Sequence, residues 1–297
     1  MSKGPEQGFA EGERPKGGFL KIGWARIPWW VSILILTAVV FIYTVLTNPN
    51  YRETFNVMIF GRPTATATEG ILLTIRITLI GFGIATILGL FAGLARVSSN
   101  PILYNLSTLY VEVVRGVPLV VLMLYFAFVL LPIVVDLLVK LGTALNIATL
   151  ASLDLRNISF ELRATAALAF GYGAYEAEVF RAGIQSIERG QMEAARSLGM
   201  TYLQAMRYVI LPQAIRRVLP PLGNDFIAML KDSSLATVLA VPELTQLGRI
   251  QRSSTFRVFE VFNTVAILYL SMTLLLSFGV RTLERRLSGE RTTATIR

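Results

Sequence analysis

Cysteine and histidine are both absent from this chain of 297 residues. Without cysteine there is no disulfide, no thiolate nucleophile and no thiolate metal ligand. Without histidine the usual general base and the commonest metal ligand are missing, which weighs against an enzyme. Charge is scarce too: 16% of residues are Asp, Glu, Lys or Arg, against 54% hydrophobic, a balance that excludes an ordinary soluble domain. The pattern Gly-x-x-x-x-Gly-Lys-Ser/Thr occurs nowhere, so the chain has no recognisable phosphate cradle of its own.

What the chain has instead is apolar length. Several runs exceed the ~20 residues needed to cross ~30 Å of hydrocarbon. Residues 1–28 are Gly-rich and polar, with five basic side chains, and read as a disordered tail. Trp29–Thr47 is continuously apolar, with Trp29 and Trp30 placed as interface anchors. It is long for a signal peptide, and no small-x-small cleavage site follows before Asn48-Pro49-Asn50. Further spans are expected at Gly70–Val97, from Ile102 to about Pro132, and at Phe160–Ile184, Val218–Val241 and Phe259–Val280. Residues 48–69 and 242–258 read as outer loops, and 133–160 as an outer segment returning partly into the membrane. Gly89-x-x-x-Gly93 is a small-residue pair that lets helices approach closely.

Six crossings from an inside N-terminus leave seventeen basic residues in the inner segments and seven in the outer ones. That is the asymmetry by which membrane proteins orient. It accounts for the net charge of +9 without a nucleic-acid partner, and it places both termini in the cytoplasm.

One stretch breaks the apolar pattern. Gln191–Pro212, QMEAARSLGMTYLQAMRYVILP, is polar and helix-prone, yet apolar runs lie on both sides. Met192, Ala195 and Leu198 share a face at three-residue spacing. Gly199 follows where a left-handed cap would end that helix. Thr201 with Gln204 forms a capping box that opens a second helix, and Pro212 is expected to close it. The product is a short helix–turn–helix presented at a membrane surface, shaped like a docking element.

Charges inside the spans are the second signal, since each costs at least ~2.5–3.5 kcal/mol at a helix centre and invites a functional reading. Glu112 with Arg115, and Glu178 with Arg181, are three apart and are expected to pair locally as structural ion pairs. Arg76, roughly two turns below the outer surface, either snorkels or receives a substrate carboxylate. Glu176 sits mid-span beside Gly171-Tyr172-Gly173-Ala174-Tyr175. Lys231 and Asp232 are adjacent, so they face different directions. Arg76, Glu176, Lys231 and Asp232 are the candidates for a substrate path.

These residues also carry a family resemblance. Glu193-Ala194-Ala195, Gly199 and Leu211-Pro212 resemble the EAA loop of membrane subunits of bacterial ATP-binding-cassette importers, with Val209 where isoleucine is usual. Glu112-Val113-Val114-Arg115-Gly116-Val117-Pro118, Ala177–Gln185, Leu219–Asn224, Leu230–Leu235 and Val241-Pro242-Glu243-Leu244 are similar to the polar-amino-acid branch, the histidine/glutamine/glutamate permease type. The resemblance implies an all-α polytopic membrane protein with the type I importer permease fold, a five-helix core plus one N-terminal transmembrane helix at 29–47. It implies an importer domain at 65–288 with the loop at 191–212, and a cytoplasmic tail at 289–297. Implied partners are an ATPase subunit, a second permease subunit, homologous or identical, and a periplasmic solute-binding protein, all at a bacterial inner membrane. In such importers the loop seats in a groove of the ATPase, which uses ATP and Mg; this chain is expected to bind no cofactor or metal and to be no enzyme. Glu193 offers a carboxylate to a basic partner or to the hairpin itself, the alanines permit close approach, and Gly199 sets the bend. The alternative is an ion-coupled secondary transporter, with Glu176 and Asp232 as relays.

Overall fold

The computed structural model describes residues 29–63, 69–187 and 189–288. Among them every regular element is helical, and the one pairing of extended backbone is an isolated bridge between Gly70 and Glu243. The tails expected at 1–28 and 289–297 lie outside the described residues. Helix α1, Trp29–Thr47, belongs to a first compact unit that ends at Asn48.

The second unit begins at Pro49, and its first element corrects an expectation. Residues expected to be a loop form α2, Pro49–Phe60, with Thr54 and Met58 buried four apart. The segment is polar in composition but amphipathic in period, and its partners lie at the start of the last helix: Arg257, just before it, donates to Glu53 at 2.6 Å, and Asn263, within it, to Tyr51 at 3.2 Å. Helix α3, Ile71–Arg96, then runs 26 residues without a break.

The long span expected from Ile102 to Pro132 is two helices. Asn100 caps α4, Pro101–Gly116, accepting from the Ile102 amide at 2.9 Å. The helix stops because a residue before proline is pushed out of the α region: Val117 sits at φ −108°, ψ 135°. Pro118 opens a new run made of α5, Leu119–Tyr125, a π-turn at Phe126–Leu130, and α6, Leu131–Ala144. The crossing therefore extends through 144 rather than ending at Pro132. Short turns follow at α7, Ala148–Ala151, and Leu155–Asn157.

Helix α8, Phe160–Gln185, occupies the expected span and is the most buried element. It packs along α3, and glycine decides how closely. A Cβ on Gly89 would lie 2.7 Å from the Glu176 Cβ, and one on Gly93 2.7 Å from the Phe180 Cβ and 2.8 Å from the Ala177 carbonyl. Only glycine admits that approach. After α9, Arg189–Ser197, and α10, Tyr202–Ala205, comes a π-turn at Met206–Ile210 that leads into α11, Leu211–Asp232. The span expected at Val218–Val241 is helix α11 only as far as Asp232 and then a 3-10 turn, Ser233–Leu239; α12, Leu244–Thr255, lies in the loop expected at 242–258, and α13, Val258–Ser288, ends the described chain. Four helical runs among the described residues are long and apolar enough to cross a bilayer: Trp29–Thr47, Ile71–Arg96, Leu119–Ala144 and Val258–Glu284. Helices α8 and α11 match them in length and carry more charge.

The end of the bundle far from α9 is knotted together. The Gly70 amide donates to the Pro242 carbonyl at 3.0 Å, and the Leu244 amide to the Thr74 hydroxyl at 3.1 Å. Glu243 is fully buried and caps α12, accepting from the Thr245 and Gln246 amides at 2.9 and 2.8 Å and from the Tyr269 hydroxyl at 2.8 Å. Burial outweighs those donors and pushes its carboxyl up to about 7. Beside it Arg62 donates to Glu69 at 2.5 and 3.0 Å and holds that carboxyl below its ordinary range.

Candidate functional site

The polar stretch folds as a hairpin of two short helices. Gly199 sits at φ 82°, the left-handed cap that ends α9. Thr201 accepts from the Gln204 amide at 3.3 Å while the Gln204 side chain accepts from the Thr201 amide at 2.9 Å, so the expected capping box is complete. Ala195 is buried; Glu193 and Ala194 face outward. Glu193 has no side-chain partner among the described residues. Leu198 shares no buried face with Met192 and Ala195: it is 80% exposed, as Leu203 is at 77%, with Tyr202 and Tyr208 also out. Four large apolar side chains thus stand out of a polar hairpin, a pattern that marks protein or membrane interaction sites.

Pro212 does not close the second helix. It sits in the first turn of α11, and the chain runs on as helix from Tyr202 to Asp232. The cause lies just upstream. Proline has no amide for the Tyr208 carbonyl and its ring crowds that position; the backbone widens into the π-turn, with the Leu211 amide bonding to the Met206 carbonyl five residues back. Pro220 and Pro221 are absorbed within the same helix. The roots of the hairpin close over Ile187, Ile210 and Ala214, with Met192, Met206 and Val209 against them.

The expected ion pairs are half realised. Glu178 does pair with Arg181, and it also accepts from Arg96 of α3 at 2.7 Å. Glu112 and Arg115 do not pair. Glu112 lies 3.5 Å from Arg96, while Arg115, in the last turn of α4, reaches across to stack 5.5 Å from the ring centre of Tyr175. Cross-helix partners outcompete the local one, and Arg96 becomes the staple between α3, α4 and α8.

The four path candidates are not brought together. Arg76 pairs with Glu161 at the start of α8, which answers its charge. Glu176 is fully buried in the α3–α8 seam, and neither carboxylate oxygen has a hydrogen-bond partner. Asp232 accepts from the Tyr172 hydroxyl at 2.7 Å. Lys231 is exposed, with no ion-pair partner among the described residues.

A different set converges instead. A cavity of about 520 Å³ lies between α4, α8 and α11, next to the root of the hairpin. Its polar lining is Arg115, Tyr175, Glu178, Ser186, Arg217 and Asp225. Asp225 turns a buried oxygen, Oδ2, that accepts from no donor. Arg217 donates to the Ser186 carbonyl. Neither was singled out from sequence, yet the signal was present: Arg217, Pro221 and Asp225 are four apart, one polar face of one helix. The cavity thus offers cationic and anionic groups a few turns apart, a setting for a small zwitterion.

Residues 85–289 match the family described as the binding-protein-dependent transport system inner membrane component. The glutamine transport system permease protein GlnP of Escherichia coli (strain K12) is 38% identical over 219 residues, covering 74% of this chain and 91% of that protein. The arginine transport system permease protein ArgU of Corynebacterium glutamicum is 34% identical over 264 residues, covering 86% and 79%. A solved structure described as an amino acid ABC transporter with histidines superposes with a TM-score of 0.62 at 35% identity, over 83% of this chain and 98% of that one. Nothing in these likenesses supports an ion-coupled transporter. The helical fold, the exposed hairpin and the absence of a phosphate cradle agree with them: this chain belongs to the inner membrane components of binding-protein-dependent transport systems, a permease subunit of an ATP-driven importer whose ATPase is a separate subunit.

Proposed function

We infer that the chain imports polar amino acids across a bacterial inner membrane, with the hairpin and both termini on the cytoplasmic side and a second permease subunit completing the pathway. The observation that carries the cargo class is the cavity. Arg115 and Arg217 line it for a carboxylate, and the Asp225 carboxyl, with no ion-pair partner among the described residues, for an ammonium group. An uncharged sugar would leave both charges unanswered. The relatives named for glutamine and arginine transport point the same way.

Glu193, Ala194, Ala195, Gly199, Leu211 and Pro212 couple the subunit to the ATPase in this reading, which also leaves ATP and Mg on the ATPase and no cofactor here. Glu176, Lys231, Asp232 and Arg76 remain path candidates for states other than this one, Asp232 through its bond to Tyr172. The test is uptake by vesicles holding the permease, its ATPase and its binding protein. Glutamine or arginine entering only with internal ATP supports the reading. Uptake that persists without ATP under an ion gradient, or entry of sugars alone, refutes it.

A further inference from the structure

Arg217 stands in two places at once. It lines the cavity between α4, α8 and α11, and its guanidinium donates to the carbonyl of Ser186. Ser186 is the residue at which α8 ends and the chain turns into the hairpin. A carbonyl there has no donor from its own helix, so whatever bonds to it sets the direction in which the hairpin leaves. The joint is otherwise tight. The Ser186 hydroxyl bonds back to the Gly183 carbonyl at 2.6 Å. A Cβ on Gly183 would collide with the Val218 side chain, so α8 and α11 are in near-backbone contact within one turn of the Arg217 bond.

A guanidinium carries five N–H donors in a fixed fork, and one neutral carbonyl cannot engage them all. A carboxylate that enters the cavity offers a charge-assisted, two-pronged bond, which is roughly twice as strong as the bond to a neutral carbonyl. Of the cavity's own carboxylates, Glu178 is already held by Arg96 and Arg181 and Asp225 forms no ion pair among the described residues, which leaves Arg217 available. Cargo and Ser186 then compete for one side chain. We propose that Arg217 is a positioning residue that reports occupancy of the cavity to the docking hairpin: cargo carboxylate draws the guanidinium off Ser186 and frees the α8–α9 joint to turn. This rests on the reading of the hairpin as the ATPase contact and of the cavity as part of the path.

The test uses the complete importer in vesicles, with radiolabelled glutamine and arginine as probes and uptake and ATP hydrolysis measured together. In Arg217→Gln the ratio of uptake to ATP hydrolysed falls by about tenfold, within the usual span of coupling between sites, and hydrolysis stops responding to loaded binding protein. Arg217→Lys, which keeps the charge and can still donate to the carbonyl or to a carboxylate, recovers most of the response. An unchanged ratio and response in Arg217→Gln overturns the proposal, and so does failure of both variants to assemble, because Arg217 would then only hold the fold. Gly199→Asp in the same vesicles separates the two layers. A defective Gly199→Asp beside a normal Arg217→Gln overturns this inference alone; a normal Gly199→Asp overturns the docking reading beneath it.

Discussion

Gly199 offers the sharpest test of the hairpin because its conformation and its surroundings make separate demands. Its φ of 82° lies in the left-handed region, which costs an ordinary L-residue roughly 1–2 kcal/mol, and Asn or Asp less. Nothing lies within 4 Å of a Cβ built there, so within this chain no substitution meets a clash. Gly199→Ala should therefore lose about 1 kcal/mol of local stability, and Gly199→Asn a few tenths, since asparagine is the next most common residue at such caps. If the turn also enters a groove on the ATPase, side-chain bulk matters far beyond strain. Gly199→Asp should then abolish transport although its backbone cost is no greater than that of alanine. The assay compares thermal unfolding of the purified subunit, capture of the ATPase, and uptake in vesicles across the three variants. Uptake that tracks backbone strain alone, with asparagine and aspartate near wild type, refutes the docking role.

Gly93→Ala should destabilise the subunit by about 1–3 kcal/mol through overpacking, although alanine gains about 1 kcal/mol in helix propensity, because the new Cβ meets Ala177 backbone and Phe180; an unchanged unfolding midpoint in detergent would contradict the seam. Pro212→Ala removes the cause of the π-turn, so the hairpin should lose its register against α11 and transport should fall while stability holds or rises; equal uptake speaks against it. Glu243 has a carboxyl raised to about 7 by burial. A raised acid contributes stability that is full below the ordinary carboxylate range and lost as pH climbs through 7. Wild type should thus lose on the order of 2–3 kcal/mol between pH 5 and pH 9, and Glu243→Gln should flatten that loss; an identical pH profile for the two proteins rejects the assignment.

Much of the fold was legible because bilayer crossing needs sheer apolar length, and α1, α3 and α13 each announce it. The errors fall where a local rule met a tertiary one. Pro118 broke a run that hydropathy joins, since a window average cannot see that Val117 must leave the α region. Pro212 had the opposite fate: a proline rule that stops helices was met by a π-turn that lets one continue. Helices α2 and α12 occupy parts of the loops expected at 48–69 and 242–258, and went unread because they bury few residues apiece and their polar outer faces dominate the composition. At the site, Gly199 and the Thr201–Gln204 box were readable since caps are local chemistry. Arg115, Arg217 and Asp225 were not assembled, because the cavity joins three helices and single-sequence spacing registers one at a time.

The close seams limit what kind of motion the subunit can make. Gly89 and Gly93 set α3 against α8 at backbone distance, Arg96 staples their ends, and Gly183 does the same for α8 and α11. Packed interfaces of that kind repack in discrete steps rather than bending smoothly. A push on α9 and α10 is therefore carried by α8 and α11 together, and the cavity wall, built from those helices, moves with the hairpin. Helix α4 is the third wall. It is tied to α3 and α8 by the Ser107 hydroxyl donating to the Ala92 carbonyl and the Tyr110 hydroxyl to the Phe170 carbonyl, each at 2.7 Å, over the buried Val111 and Val114. Where it borders the cavity its one hold among the described residues is Arg115 on Tyr175, a cation–π contact of about 0.5–2 kcal/mol, and that is the part of the wall that should give first. Tyr175→Leu, which removes the ring and leaves Arg115 in place, should alter the kinetics of uptake while assembly with the ATPase holds, and unchanged uptake kinetics would place the moving wall elsewhere.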